Sequence, residues 1–331
     1  MTPFSVSTMG LAALAGIALA TPAFSAVNIG YAPVGDAGNA ADPATGGFFG
    51  AVSYDYNIAK DETTIGHYTE FLNSVAKSDP HGLYSTNMAS RAYIAGIVRS
   101  GSDGNYSYSA VPGSENKPIS YVSWFDAARF CNWLHNGQGN GSTETGAYTL
   151  NGATSGIFTR NLAATVWIPT ENEWYKAAYY DPSKGGTGGY WAQATRSDTL
   201  DGNTVGTAGS ANYFDGDYVG SGTAVTPTTI ALTDVGAYGL NSQSAYGTND
   251  QGGNLFELND AVIGGSRGGR GGSWVNSGES QQGSSYTIEI DPTFQGASIG
   301  FRVASSVPEP GSFALALLFG TSLVTRRKRS S

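Results

Sequence analysis

Two short stretches are rich in oxygen donors: Asn212-Tyr213-Phe214-Asp215-Gly216-Asp217-Tyr218 and Asn249-Asp250-Gln251-Gly252-Gly253-Asn254-Leu255-Phe256-Glu257. Each combines carboxylates with glycine at close spacing. That suits calcium, which gathers about six to eight oxygens from carboxylates and backbone carbonyls and needs tight turns to do so. The same composition also describes ordinary polar turns, where Asp, Asn and Gly dominate. Other chemistry-bearing residues are sparse. Cys131 is the one cysteine, which excludes an intramolecular disulfide, a four-cysteine zinc site and a vicinal dithiol. It lies on an apolar helical stripe and, free cysteine being among the most buried residue types, reads as a core residue rather than a reactive thiol. His67, His81 and His135 are 14 and 54 residues apart. Those spacings put no two on one helix face, so a three-histidine iron site is not expected. The stretch Gly264–Gly272 has the glycines of a phosphate loop but neither its Lys-Ser/Thr ending nor a following helix. It reads as close backbone packing leading into a strand. Arg302, in Gly-Phe-Arg, reads as a buried, paired arginine.

Three helices and a strand precede these loops. Val52, Tyr54, Tyr56 and Ile58 alternate over 51–58 and predict a strand. Thr64 caps a helix whose stripe is Ile65, Tyr68, Phe71, Leu72 and Val75. Ser123 with Asp126, and Thr170 with Glu173, are capping-box pairs that start two more helices. Beyond Asp181-Pro182 the chain reads as loop, turn and short strand to about Ser305. Residues 27–47, rich in Ala, Gly, Asp and Pro, read as a linker. Early helices followed by an irregular glycine-rich half predict an α+β domain.

Composition sharpens this. Of 331 residues, 13% are charged and 47 are glycine, against roughly 25% charged and 7% glycine in average proteins. At 40% hydrophobic and 12% aromatic the chain is too apolar to be a disordered polymer. The formal charge of −9 argues against a nucleic-acid partner. The ends read as addresses. Residues 1–26 carry an apolar run, Met9–Ala20, then Ala23-Phe24-Ser25 with small residues at cleavage positions, so signal peptidase is an expected partner. Residues 306–331 carry Pro308-Glu309-Pro310, a short apolar run Phe313–Val324 and the basic cluster Arg326, Arg327, Lys328 and Arg329. The run is short against the roughly 20 residues of a spanning helix. This tripartite order resembles the PEP-CTERM sorting signal of Gram-negative bacteria. The resemblance implies exosortase-type sorting machinery as a partner, transient inner-membrane anchoring, and a destination at the cell surface or in the exopolysaccharide matrix of a biofilm. Without the two ends, 13 of the 17 basic and 25 of the 26 acidic residues remain, a charge near −12 that suits cations.

The order of the internal motifs resembles the sulfatase-modifying-factor family, whose founder is the formylglycine-generating enzyme. The matching stretches are Tyr56–Thr64, Pro118–Ala128, Ile168–Trp174, Gly252–Glu257, Arg270–Trp274 and Ile299–Arg302, spread over residues 48–305. The resemblance implies a C-type-lectin-like fold with little regular secondary structure. It also implies two calcium sites. Carried over by position, the second uses Asp250 and Glu257 with the Gly253 and Leu255 carbonyls; the first uses Asn212, the Tyr213 carbonyl and Asp215 or Asp217. The founder's two copper-binding cysteines fall on Asn276 and Gln281. An amide is no thiolate and does not hold Cu(I) in a linear bis-thiolate site, so loss of formylglycine generation is expected and copper is not. The reading that follows is an exported, calcium-stabilised binding or structural protein, whose ligand would be a polysaccharide or a surface protein. Tyr179-Tyr180 and Tyr190-Trp191 are either sugar-stacking aromatics or core. The alternative is an extracytoplasmic metal-dependent oxidoreductase with altered chemistry.

Overall fold

Thr64, Ser123 and Thr170 each start a helix through the side-chain hydroxyl. In the computed structural model, which describes residues 26–94, 96–219 and 231–307, Thr64 accepts from the His67 N–H and opens α1 (Ile65–Val75). Ser123 opens α3 (Trp124–His135) and Thr170 opens α4 (Glu171–Tyr179), both with complete capping boxes. Such caps are worth about 1 kcal/mol each. A one-turn helix, α2 (Asn87–Ser90), lies between the first two. The Glu173 carboxylate of the last box does more than cap. It is fully buried and also accepts from the Trp167 indole (3.0 Å) and the Tyr54 hydroxyl (2.7 Å), joining distant segments to the start of α4.

Two four-stranded sheets flank these helices. The first has the order β1 (Tyr31–Val34), β2 (Tyr56–Ala59), β12 (Ala304–Ser305), β5 (Val166–Trp167) and is antiparallel throughout. Two small ribbons, β3 (Ile97–Ser100) with β4 (Ser107–Ala110) and β6 (Tyr180–Asp181) with β7 (Gly189–Tyr190), lie outside it. The second sheet has the order β10 (Ile288–Ile290), β9 (Ser266–Arg270), β8 (Phe256–Ile263), β11 (Ile299–Gly300).

Two expectations are corrected here. The stretch 27–47, read as a linker, contributes β1, which pairs with β2 and buries Ala32 and Val34 completely. Its Gly and Pro content hid a strand only four residues long. The alternation over 51–58 marks a strand only from Tyr56, because Tyr54 stands 42% exposed with its hydroxyl committed to Glu173. The glycine run does what was expected of it. Gly268 and Gly269 lie within β9, where a Cβ would come within 2.5 Å of Asn259 Oδ1 and of Ile290 Cδ1 respectively. The stretches expected to be a leader and a sorting signal lie, but for residues 26, 306 and 307, outside the described residues. Among the described residues no helix is long and apolar enough to cross a membrane.

Helix α3 is buried on nearly every side, so its polar residues need partners. Arg129 forks onto Glu144 at 2.8 and 3.0 Å, and the Asn132 amide bonds Thr143 O and Tyr148 O. Cys131 is fully buried and its thiol is pushed up by burial, as a core residue's is. Asp126 accepts from the Ser123 N–H and hydroxyl and from the Gln295 amide, yet burial still pushes its carboxyl up to about 6. Burial likewise pushes Asp260 up to about 7, against the opposing pull of Arg267. Both carboxyls hold protons more tightly folded than unfolded, where the value is 3.8. Between roughly pH 4 and 7 the native state therefore binds more protons, and stability falls as pH rises through that window. Melts in calcium-free buffer are expected to lose on the order of 4 kcal/mol between pH 5 and pH 8. Asp126→Asn should flatten part of that slope; a stability that climbs steadily over the range contradicts the assignment.

Candidate functional site

The two oxygen-rich stretches meet through their backbones. Asn212 and Gly253 form a parallel bridge, Asn254 N–H donates to Asn212 O at 2.7 Å, and the Asn212 amide donates to Asn254 Oδ1 at 3.0 Å and Ala231 O at 3.1 Å. Gly253 has φ +86°, and a Cβ there would run into the Asn212 backbone, so glycine is required. Asp250 and Asn254 also adopt positive φ, which short polar side chains tolerate.

The second stretch sits over a buried acidic cluster. Glu257 is fully buried; Arg302 grips both of its oxygens at 2.6 Å, and the Trp174 indole adds a bond at 2.8 Å. Arg302 also donates to the carbonyls of Ala59, Lys60 and Asn249, which confirms the expected buried, paired arginine. Asp250 accepts from Gly236 N–H at 2.6 Å, and burial, reinforced by Asp61 and Glu257, pushes its carboxyl up to about 7. Glu62 completes the cluster. It accepts from the Asn254 amide (2.8 Å) and the Leu255 N–H (3.2 Å), and burial with the charges of Asp250 and Glu257 raises it well above the carboxylate range. Sequence reasoning missed Glu62, although it lies inside the Tyr56–Thr64 motif; its acid was visible there, its neighbours were not.

Two buried carboxyl groups, Glu62 and Glu257, and the half-buried Asp250 thus surround one guanidinium. The second position offers oxygen donors of the kind calcium takes, but Arg302 and Trp174 already hold both Glu257 oxygens, so Asp250 and backbone carbonyls would have to supply most of the coordination. Among the described residues no three His, Cys, Asp or Glu side chains converge closely enough to form a metal site by themselves. Such an ion would therefore depend on the Gly253 and Leu255 carbonyls as well as Asp250 and Glu257. The first position fits poorly. The Asn212 amide is engaged by Ala231 and Asn254, Asp217 Oδ1 is held by Asn203 at 3.0 Å, and Asp215 is exposed while Tyr213 is buried.

The Ser273–Gln281 segment holds the two amides expected at thiolate positions. Ser273 is fully buried and its hydroxyl donates to Asn276 Oδ1 at 2.6 Å; Asn276 N–H returns to Ser273 O at 3.0 Å. Gln281 Nε2 lies 3.5 Å from the Tyr286 hydroxyl. Asn276 O accepts from Phe214 N–H, which ties this turn to the first oxygen-rich stretch. Trp274 packs against Tyr93 and Tyr218 with ring centroids 5.6 and 5.7 Å apart, an aromatic wall beside Ser273.

Other sequence candidates go elsewhere. His81 lies 3.3 Å from Glu144, His135 Nδ1 is 2.8 Å from the Thr165 hydroxyl, and His67, half-buried on α1, has its pKa lowered by burial. Tyr179 and Tyr180 are core, with Tyr180 bonded to Asp36. The Tyr190 hydroxyl is tied to Ala40 O, while Lys184 covers the Trp191 ring at 3.7 Å. Tyr179 and Tyr180 are therefore built in, while Tyr190 and Trp191 stay partly exposed.

Short strands, three capped helices and glycine-pinned loops around a buried acid–arginine cluster define a loop-rich α+β domain of the C-type-lectin-like class. The chain belongs to the sulfatase-modifying-factor family: the model for the sulfatase-modifying factor enzyme 1-like domain matches residues 29–307. That span includes β1 and confirms that the domain begins before residue 48. No curated protein matches. Among solved structures, CarF is 20% identical over 85% of this chain and 99% of its own, with a TM-score of 0.49. Treponema denticola variable protein 1 is 17% identical over 86% and 97%, also at 0.49. PvdO from Pseudomonas aeruginosa is 17% identical over 77% and 82%, at 0.42.

Proposed function

We propose that this chain is an exported, surface-sorted member of the family that has lost formylglycine generation and acts as a calcium-stabilised binding or structural protein of the extracellular matrix. The observation that carries the reading is the Ser273–Asn276–Gln281 turn. Amides stand at both thiolate positions, Asn276 is locked by Ser273 at 2.6 Å, and Cys131 is sealed in α3. The Pro-Glu-Pro, apolar and basic segments at 308–329 support sorting to the surface through signal peptidase and an exosortase-type enzyme. A matrix polysaccharide or a neighbouring surface protein is the partner this location offers.

Calcium at Asp250, Glu257 and the Gly253 and Leu255 carbonyls would pin two irregular loops. Purified protein is expected to melt several degrees higher in 1 mM calcium than in chelator, because a ligand at 100 times its Kd adds about 2.7 kcal/mol. Elemental analysis should find bound calcium, and Asp250→Asn should weaken it at least tenfold. Identical melts in calcium and chelator, with no bound metal, remove calcium from the reading.

A further inference from the structure

A cleft of about 410 Å³ opens beside the first turn of α4, within the roughly 300–1,000 Å³ range of small-ligand pockets. Phe48 and Phe49 line it from the segment before β2, Val262 and Ile263 from the end of β8, and Glu171 and Asn172 from α4. It is separate from the acidic cluster and from the Ser273–Gln281 turn, none of whose residues line it.

Its apolar and polar parts are built differently. Phe48 is 77% exposed and Val262 52%, large apolar surfaces left in water. Phe49 is braced from behind: its ring lies 5.8 Å from Tyr175, and the Arg270 guanidinium sits 4.6 Å from its centroid. The polar groups are braced too. Arg270 holds one Glu171 oxygen and the Asn259 amide holds the other at 2.6 Å, leaving lone pairs on both. Asn172 Oδ1 accepts from Gly50 N–H at 2.9 Å, which fixes the amide and leaves its NH₂ as a donor. Neighbouring residues thus offer an acceptor and a donor beside exposed aromatic and aliphatic carbon.

This combination selects its ligand. A wholly apolar molecule would strip water from Glu171 and Asn172 without replacing the hydrogen bonds. An anion would meet the Glu171 carboxylate, and a cation would meet Arg270, which already neutralises Glu171. A neutral ring with C–H faces and a hydroxyl edge satisfies both parts: its faces lie on aromatic and aliphatic carbon, its hydroxyls reach the acceptor and donor. We propose that this cleft binds a neutral sugar ring, with Phe48 as the stacking platform and Glu171 and Asn172 taking the hydroxyls. The inference rests on the reading of the chain as a binding protein and gives that reading its site and ligand class.

The test uses purified protein with methyl glycosides of glucose, galactose and mannose, neutral dextran and cellulose oligomers, and indole and tetramethylammonium as contrasting probes, read by saturation-transfer NMR and calorimetry. At least one neutral glycoside is expected to bind. Phe48→Ala, at an exposed position, should weaken it tenfold or more, while Phe48→Trp should stay within about threefold of wild type. Glycan binding unchanged in Phe48→Ala overturns the cleft assignment and leaves the binding-protein reading standing. Indole or tetramethylammonium binding more tightly than every sugar overturns the ligand class. Failure of every glycan to bind the wild type overturns the proposal, and the polysaccharide form of the wider reading with it.

Discussion

Replacing Arg302 with methionine is expected to destabilise the domain by about 3–5 kcal/mol, enough to unfold it or nearly so. The side chain and its partner Glu257 are both fully buried. Removing the guanidinium leaves the fully buried Glu257 with only the Trp174 indole, beside the acids Glu62 and Asp250, and frees the carbonyls of Ala59, Lys60 and Asn249. Urea melts of Arg302→Met, Arg302→Lys and the double variant Glu257→Gln/Arg302→Met check this in chelator. Lysine keeps the charge but loses the two-pronged grip, so it should fall between wild type and methionine. The double variant should recover part of the loss, since it removes the stranded acid as well as the cation. A methionine variant within 1 kcal/mol of wild type would show that the cluster is solvated or protonated and that Arg302 is not its anchor.

Incubated with copper and a sulfatase-type cysteine peptide, the protein is expected to form no aldehyde above an enzyme-free control. It should also take up no Cu(I) in competition with a thiol chelator. The reason lies in atoms: Cu(I) prefers soft sulfur ligands, and the positions offer two amides. Asn276 is already bonded to Ser273, and Cys131, the chain's single thiol, is fully buried on α3. Aldehyde on the peptide, found by mass spectrometry, would overturn the central functional claim, because it would require a redox centre that these residues do not supply.

The fold was legible where the signal was local. The hydroxyl–acid pairs Ser123–Asp126 and Thr170–Glu173 located two helices to the residue, because a capping box is complete within four positions. The family and lectin-like fold were legible in motif order. Strand β1 was not, because four residues show little periodicity and its pairing with β2 is a tertiary fact. Among the candidate residues, Arg302 was read as paired and buried, and is. The partners were another matter. Glu62 reaches Asn254 across 192 residues, a contact no local pattern encodes. Tyr179 and Tyr180 looked equally suited to stacking or to core because aromatic residues serve both; only burial separates the two. The cleft by Phe48 went unseen because its walls come from four segments whose spacing carries no motif.

The order of the first sheet bears on when the domain can fold. Strand β12, the last element of the domain, does not sit at an edge; it lies between β2 and β5 and pairs with both. Two residues earlier, Arg302 closes the acidic cluster against segments made some 240 residues before it. Until residue 305 has been synthesised, that sheet is split into two pieces and the buried acids have no counter-charge. The first sheet is therefore completed only by the domain's final strand, and its core depends on contacts between the two ends of the domain.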